Sequence, residues 1–217
     1  MKGLLNTNAH IVSGVCCGDE LGLLKEMGLD AIEEHKEAGV LLFTGGSDVS
    51  PWVYDEEALR YTVSDHERDD YEHDLFQESS NFQVKVGICR GAQFLCAASG
   101  GKLWQDVNNH AIGEVGHPMV ITKPSVAKAL NKDRFTVNSY HHQMLRVLPP
   151  RWELIALASE STKKISEKSV AKDLVDIEVA WSIPDRIFTF QPHPEFYKGE
   201  TRDVFLSLWE LFVAELK

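Results

Sequence analysis

Val86-Gly87-Ile88-Cys89-Arg90-Gly91-Ala92-Gln93 decides how this chain is read. An apolar, strand-like run ends here and a helix-like run begins, with one cysteine between two glycines. That order describes an elbow, a strained strand-to-helix turn that holds a reactive side chain clear of the backbone. Gly87 and Gly91 permit the tight turn and the close approach of helix to strand. An unperturbed thiol has a pKa of ~8.5, so little of it is anionic at neutral pH. A helix N-terminus at Cys89 favours the anion, and the N–H of Arg90 becomes an oxyanion donor.

Further along, Gln191-Pro192-His193-Pro194-Glu195 offers a base and a group to orient it. Positions i and i+2 of an extended segment face the same side. Glu195 can then hold one imidazole nitrogen of His193 while the other faces Cys89, which fixes the tautomer. Efficient acyl transfer needs a second oxyanion donor. Thr44-Gly45-Gly46-Ser47-Asp48 is the candidate, since Gly45 and Gly46 let backbone N–H groups approach a bound carbonyl.

Working outward, strand-like and helix-like stretches alternate through the first half. Residues 11–17 and 40–43 read as strands, 19–38 as a helix interrupted at Gly28, 64–79 as a polar helix, 84–88 as the strand feeding the elbow, and 91–98 as the helix after it. The second half clusters strands at 119–122, 135–137, 152–158, 177–183 and 187–190, and closes with an amphipathic helix at 201–216. Residues 170–174 are too short to assign. This order predicts a mainly parallel sheet covered on both faces, with an antiparallel extension. Ligands of such sheets bind beyond the carboxyl ends of the strands, where Gly45-Gly46, Cys89 and His193 all fall.

The 217 residues are expected to form one domain, and a hydrophobic share of 43% suffices for a sizeable core. With 22 basic against 33 acidic residues the net charge is −11, which argues against a nucleic-acid partner. No apolar run is long enough to span a membrane, and no leader is evident. Free thiols fit a reducing cytoplasm. Of the four cysteines, Cys96 reads as core packing and Cys16-Cys17 as part of a strand. His110, His117, His141, His142 and His193 lack the His-Glu-x-x-His spacing, so no metal and no cofactor are expected. The charged run from Arg68 to Asp74 reads as a solvated helix face.

The elbow, followed by Gly100-Gly101-Lys102-Leu103-Trp104-Gln105-Asp106, resembles the class I (triad) glutamine amidotransferases. The branch it most resembles is the gamma-glutamyl-gamma-aminobutyrate hydrolases. Four further segments carry this likeness. They are Leu42 to Pro51, the Arg68-Asp69-Asp70-Tyr71-Glu72 helix, Val137-Asn138-Ser139-Tyr140-His141-His142-Gln143, and Gln191 to Phe196. Pro192 stands where the family usually has an aromatic residue, and residues 1–35 are a poor match.

The resemblance implies a flavodoxin-like three-layer α/β sandwich. It implies Cys89 as nucleophile, His193 as base, Glu195 as orienter, and backbone donors at Arg90 and at Gly45 or Gly46. Substrate contacts are implied at Gln93, Ser139, Tyr140 and His141, with Glu178 a further candidate from Asp176-Ile177-Glu178-Val179-Ala180. The reaction implied is attack on a gamma-glutamyl amide, release of ammonia or an amine, and hydrolysis of a thioester to glutamate. The expectation is a stand-alone hydrolase of a small gamma-glutamyl substrate with no synthetase domain attached. An ammonia-supplying subunit for a separate synthetase partner is the alternative, and a non-catalytic regulatory protein is a third. Self-association as a homodimer is left open. An α/β-hydrolase would place its acid well before its histidine, not two residues after.

Overall fold

The computed structural model of the protein describes residues 6–12, 17–171 and 175–217. Its centre is a nine-stranded sheet. Strands β1 (Asn8–Val12), β2 (Asp30–Ala31), β3 (Val40–Phe43) and β4 (Val84–Ile88) run parallel. They are flanked by helices α1 (Glu20–Glu26), α2 (His66–Glu78) and α3 (Arg90–Ala98). Short pieces β5 (Lys102–Trp104) and β6 (Asp106–Val107) follow, then β7 (Ala111–Ile121), α4 (Pro124–Leu130) and β8 (Arg134–Tyr140). The chain continues through β9 (Met144–Val147), β10 (Glu153–Ala158), β11 (Lys164–Ser166), β12 (Ser169–Ala171), β13 (Asp176–Ser182), β14 (Ile187–Phe190) and α5 (Glu200–Glu215).

The strand order is β2-β1-β3-β4-β14-β13-β10-β7-β8. Parallel pairing extends from β2 to β14, and β13, β10, β7 and β8 add on antiparallel. This is the expected three-layer α/β architecture. Central strands β3, β4 and β14 are buried along their whole length, because helices cover both faces. Pleating then divides β3 between two cores: Val40 and Leu42 pack with α1 and α5, while Leu41 and Phe43 pack with α3. Helix α3 is itself almost wholly buried, with Phe94 stacked on Phe43 at 5.6 Å between ring centroids.

Three neighbouring parallel strands, β3, β4 and β14, end side by side. The Gly45-Gly46 loop, Cys89 and His193 follow their carboxyl ends in that order. Gly91 is what lets α3 sit so close to β3. A Cβ there would lie 2.1 Å from the Phe43 carbonyl oxygen, well inside contact distance.

Several expectations need correction. Residues 19–38 do not form one helix. Gly28 takes a left-handed φ of 76°, and α1 stops at Glu26, capped by the Leu29 N–H on the Leu24 carbonyl at 2.9 Å. The rest of that stretch becomes β2 and a short 3-10 turn at His35–Glu37. The first strand lies at Asn8–Val12, earlier than expected; residues 13–16, including Cys16, lie outside the described residues. Strand β7 runs eight residues further toward the N-terminus than the apolar pattern showed. Its register shifts twice between Ala111 and His117, which destroys the alternation a strand would display. Of residues 170–174, the first two belong to β12. Among the described residues, no helix is long and apolar enough to cross a membrane.

Gly91→Ala should therefore destabilise the fold by about 3 kcal/mol or more, since strand and helix backbone must separate. Urea denaturation followed by circular dichroism measures this; a loss below about 0.5 kcal/mol would show that the contact is not tight.

Candidate active site

Cys89 sits at φ 50°, ψ −108°, a conformation that L residues avoid. Its N–H is fixed on the Phe190 carbonyl at 2.9 Å, and its own carbonyl accepts from Gln93 N at 3.1 Å. Strand β14 on one side and the first turn of α3 on the other thus hold the strained residue. Cys89 is 5% exposed.

His193 presents Nδ1 to Glu195 Oε1 at 2.6 Å, which leaves its other nitrogen for the hydrogen bond between the ring and the Cys89 side chain. Burial works against a charge on this ring. The charge on Cys89, a hydrogen bond to it and the Glu195 carboxylate outweigh burial, and raise His193 from 6.5 to about 10. Asn138 of β8 clamps the His193 backbone from both directions. Its Nδ2 donates to the His193 carbonyl at 2.8 Å, and its Oδ1 accepts from His193 N at 2.8 Å. Phe196 stacks on the imidazole at 4.2 Å, and the partly exposed Tyr140 meets it edge-on at 5.8 Å. Cys17 borders the site and is exposed, yet partial burial and the Glu195 charge push its thiol up to about 11.

The loop after β3 is shaped by a buried charge quartet. Arg68 Nε bonds Glu72 Oε1 at 2.7 Å, and Arg90 pairs with both Glu72 and Asp69. Arg68 also donates to the Gly45 carbonyl at 2.9 Å and to the Thr44 carbonyl at 3.1 Å. Asp69 Oδ2 accepts from Ser50 N at 2.9 Å. In a trans peptide the N–H opposes the preceding C=O. With both carbonyls turned to Arg68, the N–H groups of Gly45 and Gly46 face away from it. Gly45 borders His193: a Cβ there would lie 2.8 Å from His193 Cε1. The solvated-face reading of Arg68 to Asp74 is thereby corrected, since Arg68, Asp69 and Glu72 are buried. Only Asp70, Tyr71 and Asp74 face outward.

The other sequence candidates divide. Tyr140 lies at the His193 ring. Gln93 is buried, its Nε2 donating to the Gln143 carbonyl at 2.9 Å and to Gln191 Oε1 at 3.3 Å. Ser139, His141 and Glu178 gather instead with His110 and His117 in a buried group beside the site. Burial and the neighbouring His110 lower His117 to about 4 and put His141 well below its usual value. Burial, then the charges of Asp176 and Cys89, push Glu178 well above the usual carboxylate range. Asn138 was missed as a positioning residue. The only sequence signal was its place in the Val137 to Gln143 segment, and which backbone it would meet depends on the fold.

Fold and site together define a class I glutamine amidotransferase-like protein. The chain belongs to the Peptidase C26 family, whose profile matches residues 31–175. That match contains the Gly45-Gly46 loop and Cys89 and ends before His193. The chain is 30% identical over 190 residues to Protein NtpR of Enterococcus hirae, covering 81% of this chain and 74% of that protein. It is 29% identical over 121 residues to the glutamine amidotransferase-like protein YvdE of Lactococcus lactis, about half the length of each. Its fold is similar to that of a glutamine amidotransferase from Thermotoga maritima, with a TM-score of 0.60 at 16% identity over 97% of this chain and 84% of that one.

Glu72→Gln removes one negative charge between two buried guanidinium groups. It should destabilise the protein by about 3–5 kcal/mol. A Glu72→Gln variant within about 1 kcal/mol of the parent in urea denaturation would show that the quartet does not organise the loop.

Proposed function

We propose that the protein hydrolyses the amide bond of a small gamma-glutamyl substrate through a thioester on Cys89. The observation that carries this reading is Cys89 at a positive-φ elbow, facing a histidine whose far nitrogen is held by Glu195. Membership of a family containing amide hydrolases and amidotransferase-like proteins supports it.

The Cys89 sulfur attacks the amide carbon, forming a C–S bond and moving the carbonyl π electrons onto oxygen. Backbone N–H groups of Arg90 and of Gly45 or Gly46 stabilise that oxyanion; one such donor is typically worth roughly a hundred- to a thousand-fold in rate. The intermediate collapses, the C–N bond breaks, and His193 Nε2 protonates the departing amine. Water then enters and gives a proton to His193 as its oxygen bonds the thioester carbon. The C–S bond breaks, the sulfur leaves as thiolate, and glutamate is released. Glu195 holds the imidazole in one tautomer throughout and stabilises its charge. Tyr140 and Phe196 shape the ring's surroundings.

Purified protein should release ammonia or amine from glutamine or from one of a panel of gamma-glutamyl amines. Cys89→Ala should lower turnover by roughly ten-thousandfold or more, whereas Cys96→Ala should leave it within a few-fold, since Cys96 is a fully buried helix residue. Labelling of Cys89 by a glutamine-like electrophile without turnover would favour a subunit awaiting a synthetase. Failure of both turnover and labelling would refute the reading.

Charge on His193 persists to about pH 10. The alkaline limb of kcat/KM should therefore fall near that value, as the ring loses the proton it gives to the amine. Removing the Glu195 charge removes an influence that raises His193, so Glu195→Gln should move this limb to lower pH. A limb unmoved by Glu195→Gln would separate Glu195 from the titrating ring.

A further inference from the structure

Beside the active site, four ligating side chains from separate stretches of chain converge. His110 precedes β7, His117 lies on β7, His141 follows β8, and Glu178 lies on β13. All four are buried, and one ligand atom from each lies within 4.8 Å of the others. Hydrogen bonds around the group decide where each imidazole lone pair points. His117 Nδ1 meets the Pro118 carbonyl at 3.3 Å, and His141 Nδ1 meets the Gln143 carbonyl at 2.9 Å. A carbonyl oxygen only accepts, so both Nδ1 atoms carry the proton and both Nε2 atoms present bare lone pairs. Neither Nε2 has a hydrogen-bond partner, nor does either oxygen of Glu178.

His110 is arranged the other way round. Its Nε2 faces Asp176 Oδ2 at 3.0 Å. Its Nδ1 faces Glu178 Oε1 at 3.8 Å and Ser139 Oγ at 3.1 Å. The Ser139 hydroxyl already donates to the His110 carbonyl at 2.5 Å. A His110 that donates to Asp176 therefore turns a third lone pair into the group. A carboxylate behind a histidine is the usual outer support of a metal-bound imidazole. Three nitrogen lone pairs and a carboxylate thus come together, their ligand atoms within 4.8 Å of one another.

We propose that His110 Nδ1, His117 Nε2, His141 Nε2 and Glu178 form a closed four-ligand site for a divalent d-block ion of the zinc class. Imidazole and carboxylate donors in this ratio suit zinc and its neighbours rather than magnesium or calcium, which take oxygen ligands. Tetrahedral coordination with bonds of about 2.0–2.1 Å places ligand atoms about 3.3 Å apart. His117 Nε2 and Glu178 Oε1 stand at 3.4 Å. The widest pair closes by small side-chain rotations. With four protein ligands the ion has no open position, so its role is structural. It pins β7, the turn after β8, and β13 together, and so supports strand β8, whose Asn138 positions His193.

Metal content tests this independently of amide hydrolysis. Protein purified without chelator is analysed for metals, stripped, and titrated with Zn2+ and with Co2+. About one ion per chain, a Co2+ spectrum of tetrahedral intensity without a thiolate band, and a raised Tm on Zn2+ addition are expected. His117→Ala and Glu178→Gln should each weaken Zn2+ binding by at least about a hundredfold, while Cys89→Ser and Cys17→Ser leave it unchanged. If either ligand variant fails to fold, the wild-type Co2+ spectrum decides. Wild-type protein that takes up no ion at micromolar Zn2+, with a protonated Glu178 and water satisfying the lone pairs instead, would overturn the proposal. So would an ion that departs with Cys89→Ser.

Discussion

Two arginines and two carboxylates, shut away from water between α2 and α3, are the constraint on which the site depends. Burying four charges is expensive unless every partner is in place. Here Arg68, Asp69, Glu72 and Arg90 sum to no net charge, with Arg68 paired to Glu72 and Arg90 to both carboxylates. The same groups then reach outward. Arg68 fixes two carbonyls of the loop after β3, Asp69 holds the Ser50 N–H, and Arg90 is the residue following Cys89. A stiff electrostatic unit therefore joins the Cys89 turn to the Gly45-Gly46 loop. Preorganised donors of this kind act without rearranging when charge appears.

The histidine is positioned by a different set of contacts. Glu195 sets its tautomer, Asn138 sets its backbone, and Phe196 sets the plane of its ring. None of these belongs to the quartet, and Asn138 comes from the antiparallel part of the sheet. Parallel strands β3, β4 and β14 deliver the Gly45-Gly46 loop, Cys89 and the His193 segment, and the antiparallel strand β8 adds the Asn138 clamp on the His193 backbone.

Much of the fold was legible because its central strands are short and mostly apolar and lead into glycine-bearing turns, as at Val40–Phe43 ahead of Gly45-Gly46 and at Val84–Ile88 ahead of Cys89 and Gly91. The elbow was legible because Gly87 and Gly91 flank Cys89. Strand β7 was not, since its register shifts erase the period-two signal. The true surroundings of Arg68, Asp69 and Glu72 were hidden for a related reason. A helix of mostly polar residues looks solvated, and only tertiary structure supplies the buried arginine from another helix that makes such a face stable. The gathering of His110, His117, His141 and Glu178 was illegible because their sequence spacing follows no ligand motif. Sheet order alone places β7, β8 and β13 close enough for them to meet.

Because β4 and β14 are hydrogen-bonded neighbours, with Ile88 opposite Phe190, Cys89 and the segment bearing His193 leave the sheet one inter-strand spacing apart, about 4.8 Å. The ladder therefore fixes where the two segments begin, and the contacts with Glu195, Asn138 and Phe196 carry the imidazole from there to its place. Loops leaving other strands can lengthen or shorten without shifting that starting point.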